Sequence, residues 1–293
     1  MTVKIQAALS ARAMFIAAVV NEFIKIAAKP RSYLGLAAIT VLVGVIELAM
    51  YLDGESYVRL VTSGIEQSFD LQGSLLNGHL MAFIVLQLLI IHVPLLVALV
   101  TADLISGEAA TGTLRMLITR PLSRTALWMA KCTAGALYTL LILVWLGLCA
   151  LGISMALFGS GDLVVLNSDG ILILQQGDIL WRFLNGFALA YLALLTVSTL
   201  SLTLSGFSSN SLGPMVVTMA LIILFTLIGT LDVQVFDPIR PFLFTTHMAA
   251  WRSFFEDPLR TNDIAASAVI LLVHIFVLMG VGIWHFNRKD ITI

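Results

Sequence analysis

Residues 103–124 read DLISGEAATGTLRMLITRPLSR, a polar island between two long apolar runs. The island holds Arg115, Arg120 and Arg124 together with Asp103 and Glu108. Around it, 59% of the chain is hydrophobic, 11% is charged and the mean hydropathy is +1.01. A soluble domain carries about 25% charged residues. The flanking runs therefore read as membrane spans, and the island as the place where an integral membrane protein reaches into the aqueous phase.

Crossing the hydrocarbon core takes about 20 apolar residues in a helix. Six segments qualify: 33–51, 80–100, 133–158, 183–204, 212–231 and 265–286. Backbone groups in lipid must bond within their own segment, so these runs predict helices, and the alternation of a transmembrane barrel is absent. The expected fold class is an all-α membrane protein with six transmembrane helices in one domain, residues 1–293. An even number of spans puts both termini on one side. That side then holds eleven of the sixteen lysines and arginines, which makes both termini and the 103–124 island cytoplasmic.

Residues 10–29 pattern as an amphipathic helix. Asn21, Glu22, Lys25 and Lys29 share one face, whereas Phe15, Val19, Phe23, Ile26 and Ala27 fall mostly on the other. The expectation is a helix lying in the inner interface, with its lysines toward the headgroups and Pro30 ending it before the first span. An ordinary cytoplasmic lead-in is the plainer alternative. A secretory signal is not expected, because Asn21, Glu22 and Lys25 follow the short apolar core where a small-residue cleavage site belongs. On the other side, the segment 232–264 contains Asp237-Pro238, Arg240-Pro241 and Asp257-Pro258, which break regular structure. Its aromatics, Phe242, Phe244, Trp251, Phe254 and Phe255, suggest short helices half-sunk in the outer interface. A loop packed on the ends of the spans is the alternative.

The chemistry-bearing motifs are few. Gly107-x-x-x-x-Gly112 begins like a phosphate-binding loop, but Thr113 stands where lysine is needed and no strand precedes it. The chain is therefore not expected to bind nucleotide. Cys132 and Cys149 fall on one predicted helix, roughly 25 Å apart at 1.5 Å per residue, too far to pair. There is no His-Glu-x-x-His, no Gly-x-Ser-x-Gly and no Cys/His cluster, so neither a catalytic site nor a metal site is expected.

The island's pattern is Glu108-x-x-x-Gly112-Thr113-x-x-x-Leu117-x-x-x-Pro121-x-Ser123-Arg124, followed by Lys131 at the opening of the third span. This resembles the loop of type-2 ABC transporter permeases, the six-span export class, and the match extends to the topology of the whole chain. The resemblance implies a permease subunit in the plasma membrane (the inner membrane in a bacterium). Such a subunit pairs with a second permease protomer, identical or not, above two cytoplasmic ABC ATPase subunits. ATP and Mg would belong to those partners, with no cofactor in this chain and no nucleic acid. It implies export of an amphipathic, lipid-like, peptide or drug-like substrate, with the first, second and fifth spans lining the path. Mechanical or assembly work is the other outcome of the same coupling.

The physics of the island suits such coupling. Turns capped by Thr113 and Ser123 can present side chains to a partner. Gly112 lets backbones approach and Pro121 sets the chain's direction. Glu108 and Arg115 offer charges to the partner or to each other. The arginines could instead anchor the loop at anionic headgroups. Glu47, Gln87 and His92 are the candidate transport-path residues, since ionisable and polar groups in spans are functional candidates by default. Pro94 should kink the second span. The hydroxyls Thr196, Ser198, Thr199, Ser201, Thr203 and Ser205 read as helix-to-helix bonding groups. An ATP-independent secondary transporter is the main rival. It needs coupling carboxylates near mid-membrane, where only the off-centre Glu47 is available. An intramembrane enzyme lacks its constellation.

Overall fold

The computed structural model describes residues 2–62, 76–89, 92–118, 122–167 and 170–289. Side chains are described from residue 11 onward, except at positions 55, 57–62, 115, 117–118, 166–167 and 170–171.

Helix α1 (Thr2–Ala27) leads into α2 (Pro30–Thr62). Proline opens α2, where its missing N–H is no loss. The next three helices, α3 (Gly78–Leu89), α4 (His92–Thr101) and α5 (Asp103–Ala110), follow in series, with Pro94 in the first turn of α4. Short α6 (Thr113–Ile118) precedes α7 (Arg124–Phe158). A two-stranded antiparallel hairpin, β1 (Leu163–Asn167) with β2 (Gly170–Leu174), then leads to α8 (Gln176–Phe207) and α9 (Leu212–Thr230). Short 3-10 turns and α10 (Phe244–Met248) precede the last helix, α11 (Thr261–Arg288). Among the described residues six helices are long and apolar enough to cross a membrane. The architecture is that of an all-α, multi-span membrane protein.

The hairpin is the departure from an all-helical expectation. Leu163 faces Leu174 in register, and both are buried with Val165. The run Leu163-Val164-Val165-Leu166 and the Asp169-Gly170 pair are ordinary strand and turn signals. The aromatics of the 232–264 segment also differ from expectation. Short helices form, but Phe244, Trp251 and Phe255 turn inward to cap the bundle, and only Phe242 is largely exposed. Phe255 packs edge-on against Phe183 at 4.8 Å and tilted against Phe83 at 5.0 Å between ring centroids. Arg182 donates to the Phe254 and Glu256 carbonyls and holds this cap down.

Helix α8 is the hub, packing on α4, α5, α7, α9 and α11. Its hydroxyls do bond helices together. Ser201 donates to the Ala98 carbonyl on α4, and Thr203 to Leu278 on α11. Ser205 Oγ accepts from the Ile105 and Ser106 N–H groups at 3.1 and 2.8 Å. These are free amides at the start of α5, so one serine caps a helix from across the interface. Ser205→Ala should cost about 1–3 kcal/mol through the stranded amides, read as a lower unfolding midpoint in detergent. An unchanged midpoint would mean that water replaces the cap.

Helices α2 and α7 run parallel, as the Ser32–Tyr138 and Glu47–Ser154 bonds show, and α7, α8, α9 and α11 alternate in direction. One end of the bundle gathers the junction of α1 and α2, α5, the start of α7 and the end of α11. The hairpin and the 232–260 segment cover the other. Arg124 donates to the Asn287 and Lys289 carbonyls at 3.1 and 2.8 Å, which ties the start of α7 to the C-terminal end of α11.

Candidate functional site

The island begins as buried helix, not as a solvent loop. Asp103, Leu104, Ile105, Ser106 and Glu108 of α5 are all buried. Two carboxylates survive there because four cations reach them. Lys131 of α7 is fully buried. Its Nζ donates to Glu108 Oε2 at 2.6 Å, Glu22 Oε2 at 2.8 Å and the Leu104 carbonyl at 2.7 Å, which uses all three of its N–H groups. Lys25 closes the ring, with Nζ 2.6 Å from both Glu22 Oε1 and Glu108 Oε1. Beside it, Asp103 receives Lys29 on Oδ2 at 2.6 Å. Arg31 Nη1 lies 2.8 Å from Asp103 Oδ1 as an ion pair without hydrogen-bond alignment. Seven charged groups from α1, α2, α5 and α7 thus form one clamp.

Gly107 makes room for it. A Cβ at that position would lie 2.2 Å from Asp103 Oδ1, because the Asp103 carboxylate folds back over this turn of α5. Gly107→Ala should displace Asp103 from Lys29 and Arg31, and loosen α1. Limited proteolysis near residue 28 would show this as faster cleavage; unchanged protection would mean that Asp103 finds a second rotamer on the same cations.

The clamp reverses the expected orientation of α1. Glu22, Lys25 and Lys29 share a face, as the pattern predicts, but that face turns inward to α5 and α7 instead of toward headgroups. Ile16, Val20 and Ile24 form the exposed stripe. The reason is charge neutralisation: Lys131 and Glu108 pair with each other, and α1 completes the set with Glu22 on Lys131 Nζ and Lys25 on Glu108 Oε1. Glu108 accordingly has both oxygens engaged within the chain.

The α1 helix lies outside the spans, and its charges titrate as parts of the clamp. Burial alone would raise the Glu22 carboxyl, but the Lys131 ammonium, reinforced by Lys25, outweighs it and holds the group below the ordinary carboxylate value. Burial likewise opposes a charged Lys25, and its bonds to Glu108 and Glu22 overcome that and raise it above the ordinary ammonium value. A lowered carboxyl stabilises above its unfolded pKa, and the gain is lost as pH falls through the folded one. A raised ammonium stabilises below its unfolded pKa, and the gain is lost as pH rises through the folded one. Melting should therefore be flat near neutrality, falling as pH drops below 4.5 and as it climbs past 10.5. Glu22→Gln should flatten the acid limb. An acid limb of wild-type steepness in that variant would assign it to another carboxylate.

The rest of the island is placed as follows. Gly112 has φ +72 and no atom within 4 Å of a built Cβ, so its glycine serves the left-handed turn that closes α5, not a close approach. Thr113 Oγ1 donates to the Glu108 carbonyl at 3.4 Å. Ser123 caps α7 as expected, accepting from the Ala126 N–H at 3.2 Å. Arg124 is engaged with α11, as above. The side chains of Arg115 and Leu117, and Pro121 altogether, lie outside the described residues. At the tip, Thr111, Gly112 and Met116 are exposed.

Glu47, Gln87 and His92 are not brought together by any described bond. Glu47 is buried against α7, where Ser154 Oγ donates to its Oε1. Gln87 and His92 are exposed on the outer surface of α3 and α4, with His92 Nδ1 bonded to the Leu88 carbonyl of its own helix. Sequence reasoning singled out Glu22, Lys25, Lys29, Glu108 and Lys131 separately. It missed Asp103 and Arg31 as partners. The available signal was their position, at an island edge and just past Pro30.

A family model described as "Protein of unknown function (DUF2705)" matches residues 56–292. The chain belongs to this family. The match takes in the DUF2705 chain's Asp103, Glu108 and Lys131, whereas Glu22, Lys25, Lys29 and Arg31 precede it. A comparison with curated proteins finds no match.

Proposed function

We propose that this chain is the membrane-spanning permease subunit of an ATP-driven exporter of the type-2 ABC class, with both termini and the clamp on the cytoplasmic side. The observation that carries this reading is the clamp itself. It joins α1, which has an exposed apolar stripe suited to the membrane surface, to α5 and α7 on either side of an exposed loop tip. A push on that tip would reach the first three spans through charge pairs, not through a slack linker. A groove lined by Asn21, Glu22, Lys25, Leu122 and Leu127 adjoins the same surface.

The partner class follows from what the chain lacks as a self-powered transporter. Glu47, off-centre in the first span, accepts from Ser154 Oγ, and among the described residues no second carboxylate is bonded to it. The energy would come from a cytoplasmic ATPase whose nucleotide-closed form favours one arrangement of the spans. Gln87 and His92 add support for a paired assembly. Polar groups on a bare lipid-facing surface are costly, and a second protomer or a translocation path would cover them. An amphipathic or lipid-like solute suits the apolar walls.

A mild-detergent pull-down from the native host tests this. The expected result is a stoichiometric cytoplasmic ATPase. Met116→Asp at the exposed tip should reduce its recovery at least about tenfold, the scale of one interface anchor, while the permease remains monodisperse. The chain arriving alone, stable and complete in transport, would replace this reading with a secondary transporter and make Glu47 the first residue to mutate.

A further inference from the structure

Beside the clamp, α1 and the residues that lead into α7 enclose a groove of about 260 Å³, near the lower bound of small-molecule pockets. Ala18, Asn21, Ile24 and Lys25 form its α1 wall, and Leu122 and Leu127 face them.

The α1 wall carries unspent hydrogen-bond donors. Lys25 borders both the clamp and the groove. Its ammonium gives one N–H to Glu22 and one to Glu108, and a lysine has three. Among the described residues no group takes the third, and the side chain is 37% exposed. One turn earlier on the same wall, Asn21 is exposed, and no described group bonds its side-chain amide. Glu22 also lines the groove, but Lys25 and Lys131 engage both of its oxygens. The clamp as a whole sets Lys25, Lys29, Arg31 and Lys131 against Glu22, Asp103 and Glu108, which leaves one positive charge unmatched. The groove thus offers free donors in a positive field on one wall and apolar surface on the other.

Ile24 shows where an occupant would come from. It lines the groove and also belongs to the exposed apolar stripe of α1, with Ile16 and Val20. A helix with such a stripe lies at the headgroup level of a bilayer, and the groove adjoins that same stripe. The ligand that fits is an amphiphile whose anionic end meets Asn21 and Lys25 and whose first methylenes pass Leu122 and Leu127. Charge selects among bilayer lipids. A headgroup of net negative charge answers the unmatched cation, whereas a zwitterionic one brings a positive charge of its own.

We propose that this groove binds the headgroup of an anionic phospholipid from the adjoining leaflet, with Lys25 Nζ and Asn21 Nδ2 donating to phosphate oxygens. The site rests on α1 lying at the membrane surface and needs no ATPase, so its outcome is separate from that of the exporter reading.

The test uses the full chain in nanodiscs of phosphatidylcholine. One set is doped with a phosphatidylglycerol that carries a diazirine in its acyl chain next to the glycerol, the other with a phosphatidylcholine of the same design. After irradiation, adducts are mapped by mass spectrometry. Val277 and Val281, exposed on α11, serve as the reference for ordinary lipid contact. Relative to them, phosphatidylglycerol should label Leu122 and Leu127 about tenfold more than phosphatidylcholine does, the worth of one hydrogen bond between charged groups. Ala18→Phe fills the groove and should abolish the adducts on Leu122 and Leu127 while those on Val277 and Val281 persist. Asn21→Asp, at an exposed position, puts a carboxylate one turn from Lys25 to take its free N–H, and should erase the preference for phosphatidylglycerol. It serves as the deciding variant should Ala18→Phe fail to fold. Absence of adducts on Leu122 and Leu127 with either lipid, or their persistence in folded Ala18→Phe, would overturn the site. Equal labelling by the two lipids, or a preference that survives Asn21→Asp, would overturn recognition of the anionic headgroup by Asn21 and Lys25.

Discussion

Lys131→Met is expected to destabilise the protein by about 3–5 kcal/mol, the cost of removing one partner from a buried ion pair. Lys131 is wholly inaccessible and its ammonium touches Glu22, Glu108 and the Leu104 carbonyl together. Methionine matches its length but supplies no charge. Lys25 alone would then face two carboxylates, and Glu22 Oε2 and Glu108 Oε2 would be left close together and unpaired. The measurement is the unfolding midpoint of the purified chain in detergent. The triple variant Lys131→Met, Glu22→Gln, Glu108→Gln should recover much of the loss, because it removes the stranded charges along with their partner. If the triple variant is no more stable than Lys131→Met, packing around the lysine stem, and not charge, holds this corner together. On the proposed function, the recovered triple variant should bind the ATPase yet hydrolyse ATP without transport. A stable junction would be present, but not the directional pairing of α1 with α5 and α7.

Gly282→Leu should be nearly as damaging, at about 3 kcal/mol, the upper part of the range for overpacking a core. A Cβ alone would lie 2.1 Å from Trp128 Cζ2. The indole cannot retreat. Phe286 packs on it at 5.6 Å, and on another side Gly206 of α8 leaves only 3.2 Å between a built Cβ and the ring. Trp128 is thus inserted between two glycines of neighbouring helices. Small residues at such contacts let membrane helices approach, and there van der Waals packing replaces the hydrophobic drive available in water. The unfolding midpoint reads the cost, and Trp128→Phe in the Gly282→Ala background should show compensation in a double-mutant cycle. Additive losses would mean that α11 shifts as a whole to admit the new side chain.

These two sites mark where the sequence is legible and where it is not. Lys131 was visible as the lysine that opens the third span, and Glu22, Lys25 and Glu108 as charges next to apolar runs. Their union was not visible, because Glu22 and Lys131 are 109 residues apart and Lys131 and Glu108 are 23 apart. The helical pattern of residues 10–29 was read correctly and its facing was not. A moment along one helix says which residues share a side, but the partners across the interface decide which side turns inward. The hydroxyl row of the fourth span was legible as glue. That Ser205 would cap α5 depended on a helix 99 residues away in sequence.

The sequence by itself determined the membrane class and, to within a few residues, the extents of α9 and α11, because hydropathy is a sum over neighbours and the bilayer thickness sets its length. It also determined that the first helix ends before Pro30 and that Ser123 is a cap, which are local backbone demands. Only the tertiary structure decided that α5 is buried, that α1 turns its charges inward, and that a Cβ at Gly107 or Gly282 would press on Asp103 or Trp128. Each of these depends on a distance between elements far apart in the chain. Buried charge and close packing respond to such distances steeply, and no local sum contains them.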